Sequence, residues 1–295
     1  MTSVTLLGPG AIGCAVAGAL VDRDDIDLTI AARAPFDRLR VEGAPDPIDA
    51  KVRVITDPAD ATPSDIVLVV TKTHQTTAAS AWFETICGPD TVVAVLQNGI
   101  GQRDLVGPLA PGTAIVPTIV FLPADRLAPG HVRLGLPATL QVPDDDAGRR
   151  IVDLFAGSYV DCGASADFHT TAWSKLVPNC GVGAVTTLTR TTNAIFADPE
   201  ARALAAEVME EAIAVAIADG AALTPGSADA ILDIVVERSG DHVSSQTTDR
   251  IAGAPTEWEA RQAEVIRRAD QHGIAVPTLR MLTTLLRLGE PGTTG

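Results

Sequence analysis

From Val4 to about Pro143, short apolar runs alternate with helical ones. Val4–Leu7, Leu28–Ala31, Val52–Ile55, Ile66–Thr71, Val92–Leu96 and Ala114–Phe121 read as strands, and several are apolar without a break, as expected of parallel strands covered on both faces. Ala11–Val21 reads as a helix between the first two. The rhythm predicts βαβ units. Beyond about Arg149 the strand signal stops, and Thr170–Thr186, Glu200–Asp219, Ala228–Arg238 and Pro255–Gly273, rich in Ala, Leu and Glu, predict helices. Gly, Ser and Asp collect at Gly157–Ala166, which predicts a hinge. The expected architecture is α/β: a doubly wound, mostly parallel sheet over 1–165, joined to an all-α domain over 166–295.

Length agrees, since 295 residues at roughly 150 per domain give two domains with room for a real core. With 3% aromatic residues the core must be built of Ala, Val, Leu and Ile, and the same scarcity argues against a base-stacking platform. A net charge of −15 argues against a sequence-independent grip on nucleic acid or on an anionic membrane. Cys14, Cys87, Cys162 and Cys180 lack metal-ligand spacing and read as buried thiols of a cytoplasmic protein, so no metal is expected. Met1–Leu7 has no basic region before its apolar run and reads as a first strand rather than a signal peptide. No apolar run approaches the ~18 residues of a spanning helix. Asp22–Asp27 and Asp144–Asp146 read as solvated turns, the last seven residues as a frayed tail, and the five dispersed histidines form no constellation.

Gly8-Pro9-Gly10-Ala11-Ile12-Gly13 fits G-x-G-x-x-G between a strand and a helix. A pyrophosphate held on a helix N-terminus needs backbone very close by and no side chains in the way, which glycine provides. Pro9 removes one amide donor, tolerable if that amide does not face the phosphate. An Asp or Glu at the end of the second strand would accept from the ribose 2′-hydroxyl of NAD; the position falls in Ala31-Ala32-Arg33, and Asp27 stands at the wrong end. Arg33 reads either as an ordinary surface cation or, the favoured reading, as a partner for the 2′-phosphate of NADP(H), which a guanidinium fork pairs at two points.

The chain uses 19 Arg against three Lys, so each lysine invites explanation. Lys51 lies in a polar connection. Lys72 follows the strongest strand, and Lys175 lies in the apolar helical run Ala172–Val177. A partly desolvated lysine can donate a proton near neutrality where an arginine cannot, although a snorkelling stem would look the same. Asparagine occurs only as Asn98, Asn179 and Asn193. Asn179, four residues after Lys175, shares its helix face. Asn98-Gly99 follows a predicted parallel strand, at the edge where such sheets bind ligands, though the pair alone reads as a turn.

In order and spacing these residues resemble the ketopantoate reductase family, the NADPH-dependent 2-dehydropantoate 2-reductases. The likeness runs through the GPGAIG loop, Arg33, Lys72-Thr73-His74-Gln75, Leu96-Gln97-Asn98-Gly99, Lys175-Leu176-Val177-Pro178-Asn179, Ser244–Asp249 and Thr256-Glu257. The resemblance implies a Rossmann domain joined to a helical substrate domain, with the active site in the cleft between them. It also implies that Lys175, Asn98 and Glu257 are catalytic. Gly8, Pro9, Gly10, Ala11, Ile12, Gly13, Arg33, Lys72, Asn98 and Glu257 would contact NADPH, and Lys175, Asn179, Asn193 and Ser245 the 2-oxo acid. Lys175 would stabilise the developing alkoxide, give it a proton, and attract the substrate carboxylate. Glu257 would hold the ammonium or lie near the nicotinamide ribose.

The chain departs from the family pattern at four places. Gly183 stands where the family usually repeats an Asn, which predicts a roomier pocket. Glu259, Gln262 and Ala263 replace an Asp and an Asn-Gly pair. A reductase of another 2-oxo acid, ketone or imine, and a non-catalytic NADPH-binding sensor or scaffold, are the competing readings. The partner is a small molecule. The chain is expected as a monomer or homodimer, its Glu200–Asp219 helix packing internally or at a dimer contact.

Overall fold

The computed structural model describes residues 1–239 and 241–292. It falls into two compact units, Met1–Gln97 with Gly101–Phe168, and Asn98–Ile100 with His169 onward. In chain order the first unit contains β1 (Thr2–Leu7), α1 (Ala11–Gly18), β2 (Ile26–Ala31), β3 (Arg38–Glu42), β4 (Ile48–Lys51), β5 (Arg53–Ile55), β6 (Ile66–Val69), α2 (Thr73–Thr76), α3 (Ser80–Ile86), β7 (Val92–Val95), α4 (Gln102–Val106), β8 (Ala114–Pro117), β9 (Ile119–Phe121), β10 (Ala124–Ala128), β11 (His131–Leu134), β12 (Ala138–Pro143), α5 (Asp146–Phe155) and β13 (Val160–Ser165). The second continues through α6 (Phe168–Thr189), α7 (Pro199–Ala218), α8 (Ala228–Ser239), α9 (Ser245–Ile251), α10 (Glu264–His272) and α11 (Pro277–Leu288).

Six strands form one parallel sheet in the order β5-β2-β1-β6-β7-β8. Every residue of β6 and β7 is buried, because alternate side chains enter different cores. Leu6, Leu68 and Ala94 join α1 on one face, whereas Leu7, Val67, Val69, Val93 and Val95 meet Phe83, Ile86 and Val106 on the other. A doubly wound parallel sheet is the outcome the unbroken apolar runs required.

The smaller sheets differ from the expectation. The predicted strand Ala114–Phe121 divides: β8 stays in the parallel sheet, and β9 pairs antiparallel with β12. The predicted hinge at Gly157–Ala166 is mostly β13, paired in parallel with β12 from Ala138↔Val160 to Pro143↔Ser165. Only Val160 of β13 is buried, so a strand held by backbone bonds at a sheet edge has the composition of a loop. Strand structure therefore continues past Arg149. The hairpin β3–β4 joins a four-stranded sheet, order β10-β11-β3-β4. Its Arg38-Leu39-Arg40-Val41-Glu42 alternates, with Leu39 and Val41 buried, a period-two signal that a search for continuous apolar runs passes over.

The second unit, as expected, is helical. The apolar stripe of α7 packs internally: Ala205, Val208, Met209, Ala212 and Ile213 join Trp173, Leu176, Val177 and Cys180 of α6. Asp198 caps α7, accepting from the amides of Glu200 and Ala201 at 2.9 and 3.0 Å, and Pro199 stands where no donor is missed. Asp219 at the other end of α7 ties three helices together, with Trp173 Nε1 at 3.0 Å, Arg268 Nη1 at 2.6 Å and His272 Nε2 at 3.3 Å. The tail reading covers residues 289–295, of which 293–295 lie outside the described residues. Its start is not frayed: the Glu290 carboxylate accepts from the Thr256 amide at 2.9 Å and from Arg250 at 3.0 Å. Among the acidic turns, Asp145 caps α5 through the Gly148 amide at 2.7 Å, and Asp144 and Asp146 pair with Arg149. Among the described residues no helix is long and apolar enough to cross a membrane.

Asp219 supplies a stability prediction. Burial alone would raise its pKa, but the Trp173 indole, Arg268, His272 and His169 outweigh it and hold the carboxyl below its ordinary 3.8. That stabilisation is present above pH 3.8 and lost as pH falls through the lower folded value. Asp219→Asn should cost about 1–3 kcal/mol at pH 7, lowering the melting temperature by several degrees. Melts at decreasing pH should show the gap to wild type closing only in strong acid.

Candidate active site

In the first unit the loop after β1 turns at Gly8, whose φ of +99° favours glycine. A Cβ there would lie 2.8 Å from the Thr71 amide nitrogen, and one on Gly13 would lie 2.4 Å from the Gly8 carbonyl oxygen. Those two glycines are demanded by the fold. Gly10 is different: its backbone is extended, and nothing lies within 4 Å of where its Cβ would be. It is the N-cap of α1 and makes no side-chain cap, and the first intrahelical bond of the loop is Cys14 N–H to Gly10 O at 3.0 Å. A helix N-terminus with bare amides beside an open Cβ position suits an anionic ligand.

Because β2, β1 and β6 are parallel neighbours, the residues after them share one sheet edge. Arg33, two residues past β2, is exposed, and Ala31 and Ala32 before it are buried, so no carboxylate ends this strand. Lys72 is the half-buried N-cap of α2, and His74 is exposed. Behind Gly8, the Gln97 amide donates to Thr71 O at 2.7 Å and to Thr76 Oγ1 at 2.7 Å, fixing the wall against which the glycine turn rests.

The second unit gathers most of the remaining candidates. Asn98 and Glu257 meet, Asn98 Nδ2 donating to Glu257 Oε2 at 3.0 Å. The approach depends on Gly99, with φ +97°, whose Cβ would stand 2.2 Å from the Ala260 carbonyl oxygen. The Asn98-Gly99 pair is thus a turn and a docking point at once. Ala260 belongs to a π-helical turn, Glu259–Ala263, closed by Ala263 N–H to Trp258 O at 3.0 Å; such turns recur at functional sites. Glu257, 3% exposed, and Arg261, 2% exposed, approach at 3.6 Å, and Arg261 Nη2 donates to Ser245 Oγ at 2.9 Å.

Lys175 lies in α6. Burial pushes its ammonium down to about 7, the Arg261 charge adds to that, and Glu257 opposes it. The residue as a whole is half-buried. Asn179, one turn on, is half-buried, and its carbonyl accepts from Gln262 Nε2 at 3.2 Å. Asn193 is buried at the start of a 3-10 turn, and its backbone N–H donates to His242 O at 3.1 Å. Arg261 is the residue that sequence reasoning missed. Its signal was an arginine four residues after Glu257. The four cysteines are free, and burial raises each thiol, Cys180 to about 12. Among the described residues no cluster could hold a metal ion.

The family profile described as "Ketopantoate reductase PanE/ApbA" matches residues 4–146, and "Ketopantoate reductase PanE/ApbA C terminal" matches 167–290. The chain belongs to the ketopantoate reductase family. It is 37% identical to the 2-dehydropantoate 2-reductase of Caulobacter vibrioides, over 97% of this chain and 98% of that one. It is 36% identical to that of Mycobacterium tuberculosis, over 99% of each. Among solved structures, a dimeric ketopantoate reductase from Staphylococcus aureus superposes with a TM-score of 0.87 at 26% identity, covering 98% of both chains.

Two of the departures from the ketopantoate reductase pattern, Gly183 and Gln262, are linked through Gln246. Gly183 does not open a roomier pocket: it is buried, and a Cβ there would meet Gln246 Oε1 at 3.3 Å. Gln246 and Gln262 face each other at 3.3–3.4 Å, both fully buried. The Gln246 amide lies against the position that a side chain at 183 would take. Glu259 is exposed, so its extra methylene goes to solvent.

The three loop glycines should separate in stability. Gly8→Ala and Gly13→Ala should each cost about 1–3 kcal/mol, seen as a melting point several degrees lower. Gly10→Ala should stay within about 1 kcal/mol of wild type, since only a cap preference changes.

Proposed function

We propose that this chain reduces 2-dehydropantoate to pantoate with NADPH, Lys175 acting as the proton donor. The observation that carries the reading is a crowded lysine, its pKa near 7, beside the Asn98–Glu257 pair in a ketopantoate reductase family member. We assign residues 1–165 to cofactor binding and 166–295 to the substrate and catalysis.

The glycine loop fits a dinucleotide, because Gly10 alone among its three glycines is not required by the protein's own packing. Gly8, Pro9, Gly10, Ala11, Ile12 and Gly13 would receive the pyrophosphate, and Arg33 with Lys72 the adenosine phosphate, a preference for NADPH over NADH. Bound dihydronicotinamide supplies the hydride that goes to the keto carbon. Lys175 Nζ stabilises the negative charge growing on the carbonyl oxygen and gives it a proton, leaving a neutral amine that water reprotonates. Glu257 keeps the ammonium charged, and Asn98 fixes the carboxylate of Glu257 by its 3.0 Å bond. Asn179, Asn193 and Ser245 are assigned to orienting the substrate. The reading places the enzyme in the cytoplasm as a monomer or homodimer, the second state supported by the dimeric relative. The rebuilt Gly183–Gln246–Gln262 region favours a second reading, a reductase of a differently branched 2-oxo acid.

Purified protein with 2-dehydropantoate should consume NADPH faster than NADH, and Arg33→Ala should erase that preference. Turnover of other 2-oxo acids but not this one would reject the main reading in favour of the second. Lys175→Ala should lower kcat about 10²–10⁴-fold. In wild type, kcat/KM should fall as pH rises through about 7, where Lys175 loses the proton it must donate. A profile flat from pH 6 to 9 would remove Lys175 from that role.

A further inference from the structure

The helical unit holds a buried guanidinium that the reading above does not use. Arg261 is 2% exposed, yet its donors are poorly spent: Nη2 reaches Ser245 Oγ at 2.9 Å and Glu257 at 3.6 Å, longer than a hydrogen bond. Its Nε is buried and finds no acceptor among the described residues. An arginine carries five N–H groups, and leaving one unmade in the interior is costly.

Charge points the same way. Lys175, Arg261 and Glu257 act on one another, so a protonated Lys175 leaves two cations against one carboxylate. An uncompensated charge in the interior is expensive, and the group able to relieve it is Lys175, by losing its proton. Arg261 cannot do so, and stays charged. A second anion of carboxylate size would balance these three groups.

We propose that Arg261 is the anchor for the carboxylate of the substrate, held ready by Ser245 and Glu257, and that it sets this site's preference for oxo acids over neutral ketones. The inference rests on the reductase reading and names the residue that gives it its substrate class. Arrival of the carboxylate balances the charge and favours the protonated form of Lys175, so binding an acid prepares the proton donor, whereas a neutral ketone does not. Arg261 here is a binding residue for the substrate and a positioning residue for the Lys175 proton. The charges that shift Lys175 include Arg261 and Glu257, and the nearby Cys180 thiol is kept neutral by burial.

The test uses the intact chain and two probes of one shape, oxamate, which carries a carboxylate, and oxamide, which does not, with affinities measured by calorimetry. Arg261→Gln should weaken oxamate about 10–100-fold, the worth of a hydrogen bond to a charged group, and leave oxamide unchanged. In turnover, the same variant should move the falling limb of the kcat/KM profile to higher pH, because the cation that depresses Lys175 is gone. Arg261→Lys keeps the charge, and so guards against misfolding. It loses the two-point fork and should weaken oxamate less than Arg261→Gln does, again sparing oxamide. Equal losses on both probes, unchanged oxamate affinity in both variants, or no oxamate binding by wild type would each overturn the proposal. If oxamate binding depends on Arg261 but 2-dehydropantoate is not reduced, the anchor stands and the substrate assignment falls.

Discussion

Two basic side chains and one carboxylate share a corner of the helical unit in which water cannot easily screen them. Glu257 is held by the Asn98 amide on one side and faces Arg261 on the other, while Lys175 carries a proton that the surroundings make easy to remove. Each charge is expensive to bury alone, so their mutual placement governs which is ionised at neutral pH. An amine whose proton is loosely held is useful for reduction chemistry, and the same imbalance makes an acidic ligand welcome.

That corner depends on backbone features more than on the side chains it displays. Gly99 lets the Asn98–Ile100 segment lie against the Ala260 carbonyl, closer than any residue with a Cβ could come. The π turn at Glu259–Ala263 sits between Glu257 and α10 and brings Arg261 and Gln262 inward, both almost wholly buried. Lys175 rides on α6, a 22-residue helix whose neighbours Trp173, Leu176 and Val177 are locked in the core. In the sheet unit the division of labour among glycines is similar: Gly8 and Gly13 serve the turn, and Gly10 leaves open space.

Much of this was legible in the residues. Strands buried on both faces announce themselves as unbroken Val, Ile and Leu, and the glycine loop declares itself by its place between strand and helix. The rarity of Lys and Asn in an arginine-rich chain drew attention to Lys175 and Asn98, which the structure brings into one charge network. Less was visible where partners are distant. β13 looks like a linker because its bonds are made by backbone, and β9 leaves its sheet for a partner some twenty residues on. Arg261 went unread because a lone arginine on a helix usually faces water, and only three-dimensional packing reveals that this one does not. The extra space read into Gly183 was filled by Gln246, a residue 63 positions away in the chain.

The filling of Gly183 bears on how such a sequence could drift. A side chain at 183 would press on Gln246, which is itself matched to Gln262, so these three positions cannot be exchanged in arbitrary order. Shortening the amides first would leave a hole; enlarging the glycine first would require the Gln246 amide, 3.3 Å from the new Cβ, to give way. Transplanting a single position into this chain would therefore measure conflict with its neighbours as well as the worth of the residue itself.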